Sequence, residues 1–371
     1  MSNGPATEIP RFRLRWLLDE SSERPAWIDD DEWVPPGDRK LYSEAKQGLY
    51  AWLNTLENEG PVLLPAYVPG GVTWAVLAAG FDVKYYPISS DLSLPIEAVS
   101  SSIRDHDPAA ILFIHYFGFV SDGFNELVSV ARQQEVAVIE DCARGLFARD
   151  RNGQLLGSSG DLAIFSLHKT MPMPNGGLSV SKTGAFPDAS EIQQEWLTIP
   201  RLAILLLAQS LGINTEPKPR IKRPTDRNPS DVSPKQPLSA PGPLTKRALS
   251  HCRPSSIQSA REGRYRALRA MLLQEPQLTV LTPPVYDGAA PFGVAVLAAT
   301  CTLRKRYLHD LHERSLPCEV LTWPYVYRNE QSDRFQGAET LRSRLLVFPV
   351  HQQLDAKDIG EIAATLSLGT R

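Results

Sequence analysis

The sequence predicts a mainly parallel α/β domain followed by a smaller, compact α+β domain. Three observations carry this. From Leu41 to about Lys182, short apolar runs alternate with helix-like segments, the pattern of parallel strands joined by crossovers. Over 186–254 the alternation breaks. From Ser255 a helix, further strand-like runs and two more helix-like segments follow on a smaller scale. The boundaries read as an N-terminal arm over 1–38, a large domain over 39–185, an insertion over 186–254, and a linking helix with a small domain over 255–371. Two domains framing a cleft suit a small-molecule site.

Taken in order, residues 1–38 hold many charges and prolines with scattered Trp16, Trp27 and Trp33, and read as an arm packed on the body. Strands are expected at 61–65, 83–88, 110–115, 135–140, 162–166 and 178–181. Between them, 124–133 places Phe124, Leu127, Val128 and Ala131 on one helical face. The leucine-rich stretch 197–211 reads as a core or subunit-interface helix, because its polar face is not basic enough for a membrane surface. The following 216–254 is crowded with Pro, Lys and Arg, including Lys218, Arg220, Lys222 and Arg223, and cannot bury enough apolar surface to fold alone. Beyond it, strands are expected near 294–300, 318–322 and 345–348, with helices near 304–314 and 356–366.

At 371 residues the chain can bury a large core, and its formal net charge of −3 gives no reason to expect nucleic acid as a partner. Cys142, Cys252, Cys301 and Cys318 show neither metal-like spacing nor a disulfide framework. The N-terminus has no secretion signal, and no apolar run approaches the roughly 20 residues of a membrane span. The expectation is a soluble cytoplasmic protein. His309 and His312 share a helical face but have no third ligand nearby, so they read as a solvated face and no metal is expected.

The chemistry concentrates in two motifs. Phe165-Ser166-Leu167-His168-Lys169 sets one lysine in a short loop after an apolar strand, with Gly176-Gly177 and another strand behind it. An amine there can be partly desolvated, more easily deprotonated, and so able to hold an aldehyde cofactor as a Schiff base. Upstream, a strand ends in Glu140-Asp141. Pyridoxal 5'-phosphate needs a carboxylate against its pyridine nitrogen, and the carboxyl end of a strand is where α/β sheets bind ligands. The bland alternatives are a solvated loop lysine and an acid pair that caps the next helix.

An acid pair closing a strand, then Gly157-Ser158-Ser159-Gly160-Asp161, then Phe-Ser-Leu-His-Lys and Gly-Gly, resembles the DegT/DnrJ/StrS sugar aminotransferases. Val62-Leu63-Leu64-Pro65-Ala66-Tyr67, Ala79-Gly80-Phe81-Asp82-Val83, His115-Tyr116-Phe117-Gly118 and Phe348-Pro349-Val350-His351 resemble further landmarks in the family's order. Arg261, Arg264 and Tyr265 resemble its Arg-rich linking helix. The resemblance spans roughly 39–185 and 255–368. It implies an aspartate aminotransferase-like, fold-type I pyridoxal-phosphate domain and a homodimer with both sites at the interface. The implied reaction moves an amino group, with glutamate as the expected donor, to a keto-sugar nucleotide in polysaccharide biosynthesis. Lys169 would carry the cofactor and shuttle the proton, Asp141 would meet the pyridine nitrogen, and Ser166 would bind the phosphate. His168 reads as a packing or supporting residue.

Several positions depart from that pattern. Arg144 stands where Gln or His is usual, and its permanent charge could face the cofactor's phenolate or a substrate phosphate, unless it points away to a surface acid. The Ser-Gly-Thr phosphate loop is replaced near Ser43-Glu44-Ala45-Lys46, where Lys46 could supply a point charge. Pro174-Asn175 replaces Gly-Glu. The ring-stacking aromatic is left to Tyr67 or His115. Other pyridoxal-phosphate reactions, a dehydratase or a lyase, and a degenerate member with a binding or regulatory role are the alternatives. The retained Lys169 argues against the dehydratase branch, which carries His there.

Overall fold

The computed structural model describes residue 10 and residues 24–184, 186–189, 191–192, 238–323 and 332–368. Its first half runs β1 (Asp38–Tyr42), α1 (Ala45–Leu53), β2 (Val62–Pro65), α2 (Gly70–Ala78), β3 (Val83–Tyr86), α3 (Ile96–His106), β4 (Ala110–Ile114), α4 (Phe124–Gln133), β5 (Ala137–Asp141), β6 (Leu162–Ser166), α5 (Leu167–Thr170) and β7 (Gly177–Ser181). Then come β8 (Glu191–Ile192), β9 (Ser239–Ala240), α6 (Pro243–Ser250), α7 (Pro254–Leu272), β10 (Leu278–Val280), β11 (Gly293–Ala298), α8 (Cys301–Glu313), α9 (Gln336–Arg344), β12 (Leu345–Pro349) and α10 (Ala356–Leu368).

Seven strands form the large sheet in the order β1-β7-β6-β5-β4-β2-β3. Only β7 runs against the others, pairing antiparallel with both β1 and β6. The central strands β4, β5 and β6 are parallel, with Ile114 opposite Asp141 and Asp141 opposite Ile164. Their carboxyl ends therefore lie side by side. A second sheet, β10-β11-β12, is antiparallel throughout.

Both faces of the large sheet are covered, as parallel strands require. On one face Leu63, Phe113 and Val138 pack under Val99 and Ile103 of α3 and Leu127 and Val128 of α4. All four apolar residues assigned to one face of α4 are buried. On the other face Leu112, Ile139 and Ile164 share a core with Tyr67, Tyr116, Val294 and Phe348. The small sheet thus packs toward the same face that Ile139 and Asp141 present, because side chains two apart on a strand point the same way. A third cluster joins Trp27 and Val34 of the N-terminal segment to Phe165, Phe147 and Leu249 of α6.

The strands expected over 61–181 and near 294–300 and 345–348 are found, and so is the fold class. Four expectations need correction. Lys169 lies on α5, a single helical turn, because Met171 N–H donates to Leu167 O at 2.8 Å and closes the turn. The strand expected at 318–322 is one bridge, Glu319 with Val347, since the chain leaves the sheet edge immediately on either side. Strand β1 begins at Asp38, where an arm was expected to end. Within the proline- and base-rich 216–254, α6 forms with Pro243 in its first turn, burying Leu244, Ala248 and Leu249. The stretch 197–211 and Trp16 lie outside the described residues.

Candidate active site

Strand β5 ends with two acids that face opposite ways. Glu140 faces the α3/α4 side, where its carboxylate accepts hydrogen bonds from His115 Nε2 at 2.6 Å and from the amides of Gly157, Ser159 and Gly160 at 3.1, 2.7 and 2.5 Å. Burial would raise its pKa, but the bond from His115 and the amides of Gly160 and Ser159 together hold it below the ordinary value. Gly160 fits because a Cβ there would lie 2.8 Å from Val138 O. His115 also sits edge-on to Phe124 with ring centroids 4.8 Å apart. It therefore belongs to the far face and is not placed to stack on a ring near Asp141. Among the described residues, His115, Glu140 and Cys142 approach as a metal triad would, but Glu140 already has partners on both oxygens and the group reads as a hydrogen-bonded clamp.

Asp141 faces the cleft side. Its carboxylate accepts the Ala143 amide at 2.9 Å and is 3% exposed. Burial raises its pKa above the ordinary aspartate value, against the pull of the Lys169 ammonium, the Ala143 amide and Arg144. Lys169 shows the reciprocal effect. Burial, then the charge of Arg144, lowers its pKa to about 8, while Asp141 and Glu319 resist. The buried aspartate and the half-buried lysine thus act on each other across one site.

Ser166 ends β6 on the same face as Ile164, and its hydroxyl lies 3.2 Å from His168 Nδ1. Burial and the neighbouring Lys169 lower the His168 pKa to about 4, so the ring is neutral at neutral pH and can support the serine without adding charge. Gly176 ties this end together: its N–H donates to Ser43 O at 2.7 Å and its carbonyl accepts from Leu167 N at 2.9 Å. Its φ of +128° is open to glycine but strained for other residues. At Gly177 a Cβ would stand 2.2 Å from Ala45 N, so β7 is pressed against the start of α1. Glu44 precedes that helix without capping it, and Lys46 Nζ pairs with Glu44 at 2.7 Å and lies 5.3 Å from the Trp74 ring centroid. Lys46 thus has partners of its own on the α1/α2 side.

Tyr67 is fully buried on the cleft side, with its hydroxyl donating to Leu321 O at 2.9 Å and its ring 4.5 Å from Trp323. Tyr116 stacks on it at 5.9 Å and donates to its carbonyl at 2.5 Å. Arg144 does not point to a surface acid. Its Nη2 donates to Glu319 Oε1 at 2.6 Å, and the guanidinium lies over Phe292, Trp323 and Phe117 at 4.8, 5.8 and 5.9 Å. Both partners are largely buried, with side chains 10% and 22% exposed. Tyr116 falls in the His115–Gly118 segment, whereas Glu319 and Trp323 carry no recognisable motif and are brought in from far along the chain, which the local sequence does not encode.

The family model described as the DegT/DnrJ/EryC1/StrS aminotransferase family matches residues 51–193. Over that segment the chain resembles this family. Protein MosB of Rhizobium meliloti is 32% identical over 124 residues, 33% of this chain and 24% of its own length. The chain therefore matches about a quarter of that relative. Among solved structures, the aminotransferase TlmJ from Streptoalloteichus hindustanus has a TM-score of 0.67 at 17% identity, covering 99% of each chain. Helicobacter pylori PseC, an aminotransferase in pseudoaminic acid biosynthesis, has a TM-score of 0.71 at 14% identity, again over 99% of each. The fold is that of the fold-type I pyridoxal-phosphate aminotransferases.

The donor set fits pyridoxal 5'-phosphate: a lysine with a lowered pKa, a buried acid, and a serine hydroxyl on the same face as that acid. Lys46, expected from the sequence to meet the phosphate, is paired with Glu44.

The Lys169 pKa gives a direct test. The rate at which the cofactor-free protein's Lys169 reacts with an amine-selective reagent, followed by peptide mass spectrometry, should rise through a midpoint near pH 8. A midpoint at the ordinary lysine value of about 10.4 would place the amine in solvent. Between those values the unfolded chain binds more protons than the folded one, so this group makes stability rise with pH.

Proposed function

We propose that this protein is a pyridoxal-phosphate-dependent aminotransferase that moves an amino group from an amino-acid donor, glutamate by family resemblance, to a keto-sugar nucleotide. What supports this reading is that Asp141, closing β5, and Ser166, closing β6, lie on one face of the sheet with Lys169 on the helical turn that follows, close enough for lysine and aspartate to shift each other's pKa. Fold alone would not license it, since one fold hosts many reactions.

When bound, the cofactor supplies an electron sink for the carbanion left when the substrate α-proton departs. Lys169 would hold it through the side-chain amine. Once displaced by the substrate's amine, the same group is a base of suitable strength, because a pKa of about 8 leaves an appreciable neutral fraction at neutral pH. Asp141 would keep the pyridine nitrogen protonated, and its burial makes that charge pairing stronger than it would be in water. Ser166 would donate its hydroxyl to the phosphate, with neutral His168 free to accept or donate in support. Tyr67 and Trp323 would wall the ring and exclude water.

A binding or regulatory role is the second reading, and Glu44 favours it, because a carboxylate at the phosphate end opposes an anionic group. Borohydride reduction separates the two. The purified protein should give a visible absorbance band and a reduced cofactor adduct on Lys169. Lys169→Ala should lose the adduct and all transamination while keeping its fold, and Asp141→Asn should retain cofactor but slow turnover by at least a hundredfold, on the order of one lost buried charge contact. No adduct in the wild type favours the second reading, and an adduct on another lysine moves the site.

The active assembly is proposed to be a homodimer, by resemblance to the family. Sedimentation at micromolar concentration should give twice the 41.1 kDa chain mass, and an active monomer would contradict it.

A further inference from the structure

The Arg144–Glu319 pair is incomplete in a way that a purely structural ion pair need not be. A guanidinium and a carboxylate can meet through two parallel hydrogen bonds. Here only Nη2 and Oε1 meet, while Arg144 Nε and Glu319 Oε2 are both buried without a partner among the described residues. Leaving a charged group's donor unmet inside a protein is costly, and guanidinium cannot escape by losing its proton. The guanidinium is nonetheless held firmly. It lies over the rings of Phe117, Phe292 and Trp323, and Phe117 adopts a left-handed backbone (φ 60°, ψ 19°) with its carbonyl accepting from Phe292 N at 2.9 Å. A bulky residue in that conformation is uncommon and costs backbone energy. The aromatic seat is therefore built, and the carboxylate on it is half engaged.

Glu319 approaches from the small sheet. Its backbone is fixed to Val347 by two hydrogen bonds of 2.8 and 3.0 Å, so its side chain can swing on a stationary mount. With 22% of that side chain exposed, it sits at the rim while the arginine lies deeper. Both charges act on Lys169, Arg144 lowering its pKa and Glu319 raising it. An amino acid carries its carboxylate one carbon away from its amine, so a carboxylate receptor beside Lys169 would present the substrate amine where that lysine reacts.

We propose that Arg144 is the receptor for the donor amino acid's α-carboxylate, and that Glu319 is a built-in carboxylate that occupies this receptor until the donor displaces it. This rests on the aminotransferase reading and names which of this chain's residues select the donor. The exchange keeps one carboxylate on the guanidinium throughout, so no bare charge is exposed to the low-dielectric site at any stage. An incoming carboxylate can engage Nε and Nη2 together, which Glu319 does not. The same contact explains why Arg stands where an uncharged Gln would lack the charge to hold a carboxylate.

The test measures binding directly, by calorimetric titration of the purified full-length protein with glutarate, which has carboxylates but no amine, and with glutaramide as the neutral control. Glu319→Gln should bind glutarate about tenfold more tightly than wild type, the factor recovered when a receptor had been free about a tenth of the time. Arg144→Gln should lose at least tenfold, and Arg144→Lys should fall between wild type and Arg144→Gln, because an ammonium attracts the anion without the fork. The double variant Arg144→Gln/Glu319→Gln leaves neither charge unpaired and should bind glutarate as poorly as Arg144→Gln. Glutaramide affinity should not follow this series. Glutarate binding no tighter in Glu319→Gln than in wild type would overturn the displacement, and wild-type affinity in the double variant would overturn the receptor. Because glutarate cannot transaminate, these outcomes stand apart from the borohydride result on which the aminotransferase reading depends.

Discussion

The hydrogen bonds that converge on Glu140 are the constraint on which the site depends. One carboxylate takes His115 from the end of β4 and three amides from the turn that leads into β6. The ends of β4 and β5 and the turn that opens β6 are thereby fixed to one another on the α3/α4 face of the sheet. Since strand residues alternate, locking Glu140 inward on that side obliges Asp141 to face the other. Removing one donor from this buried carboxylate costs on the order of 1–3 kcal/mol. The acid pair therefore has a division of labour, in which one carboxylate holds the architecture and its neighbour is delivered to the chemistry.

On the cleft side the charges balance in a small volume. Lys169 and Arg144 oppose Asp141 and Glu319, and each shifts its neighbours in the direction its sign requires. Arg144 is the decisive member, because it cannot release its proton and so presses Lys169 toward neutrality. Burial acts in the same direction on the lysine and in the opposite sense on Asp141. The result is a site poised for proton movement at Lys169, with Tyr67, Tyr116 and Trp323 keeping its surroundings apolar.

Much of this was legible in the residues themselves. Apolar runs with strand length located the central strands within two residues, and the helical spacing of Phe124, Leu127, Val128 and Ala131 identified α4. Asp141 and Ser166 are placed by the strands they end, and Lys169 lies on the helical turn that follows the second of these. Sequence spacing failed where contacts come from far along the chain. Glu319 meets Arg144 across 175 positions, and nothing near either residue signals the other. His115 was misjudged for a subtler reason. It follows β4 as Asp141 closes β5, but its partner Glu140 and the edge of Phe124 hold it on the opposite face. The helical turn at Lys169 was hidden because four residues are too few to show a helical period.

The central claim is that buried Asp141 and half-buried Lys169 share one site. Its most direct test is the carboxyl titration of Asp141, followed by 13C NMR in the selectively labelled, cofactor-free protein and in Lys169→Ala. Burial should place the wild-type midpoint above the ordinary aspartate value of about 3.9. Removing the lysine's positive charge should move it higher still, because an opposing cation favours the ionised carboxylate. An ordinary midpoint that does not move when Lys169 is removed would mean that the two groups do not face each other.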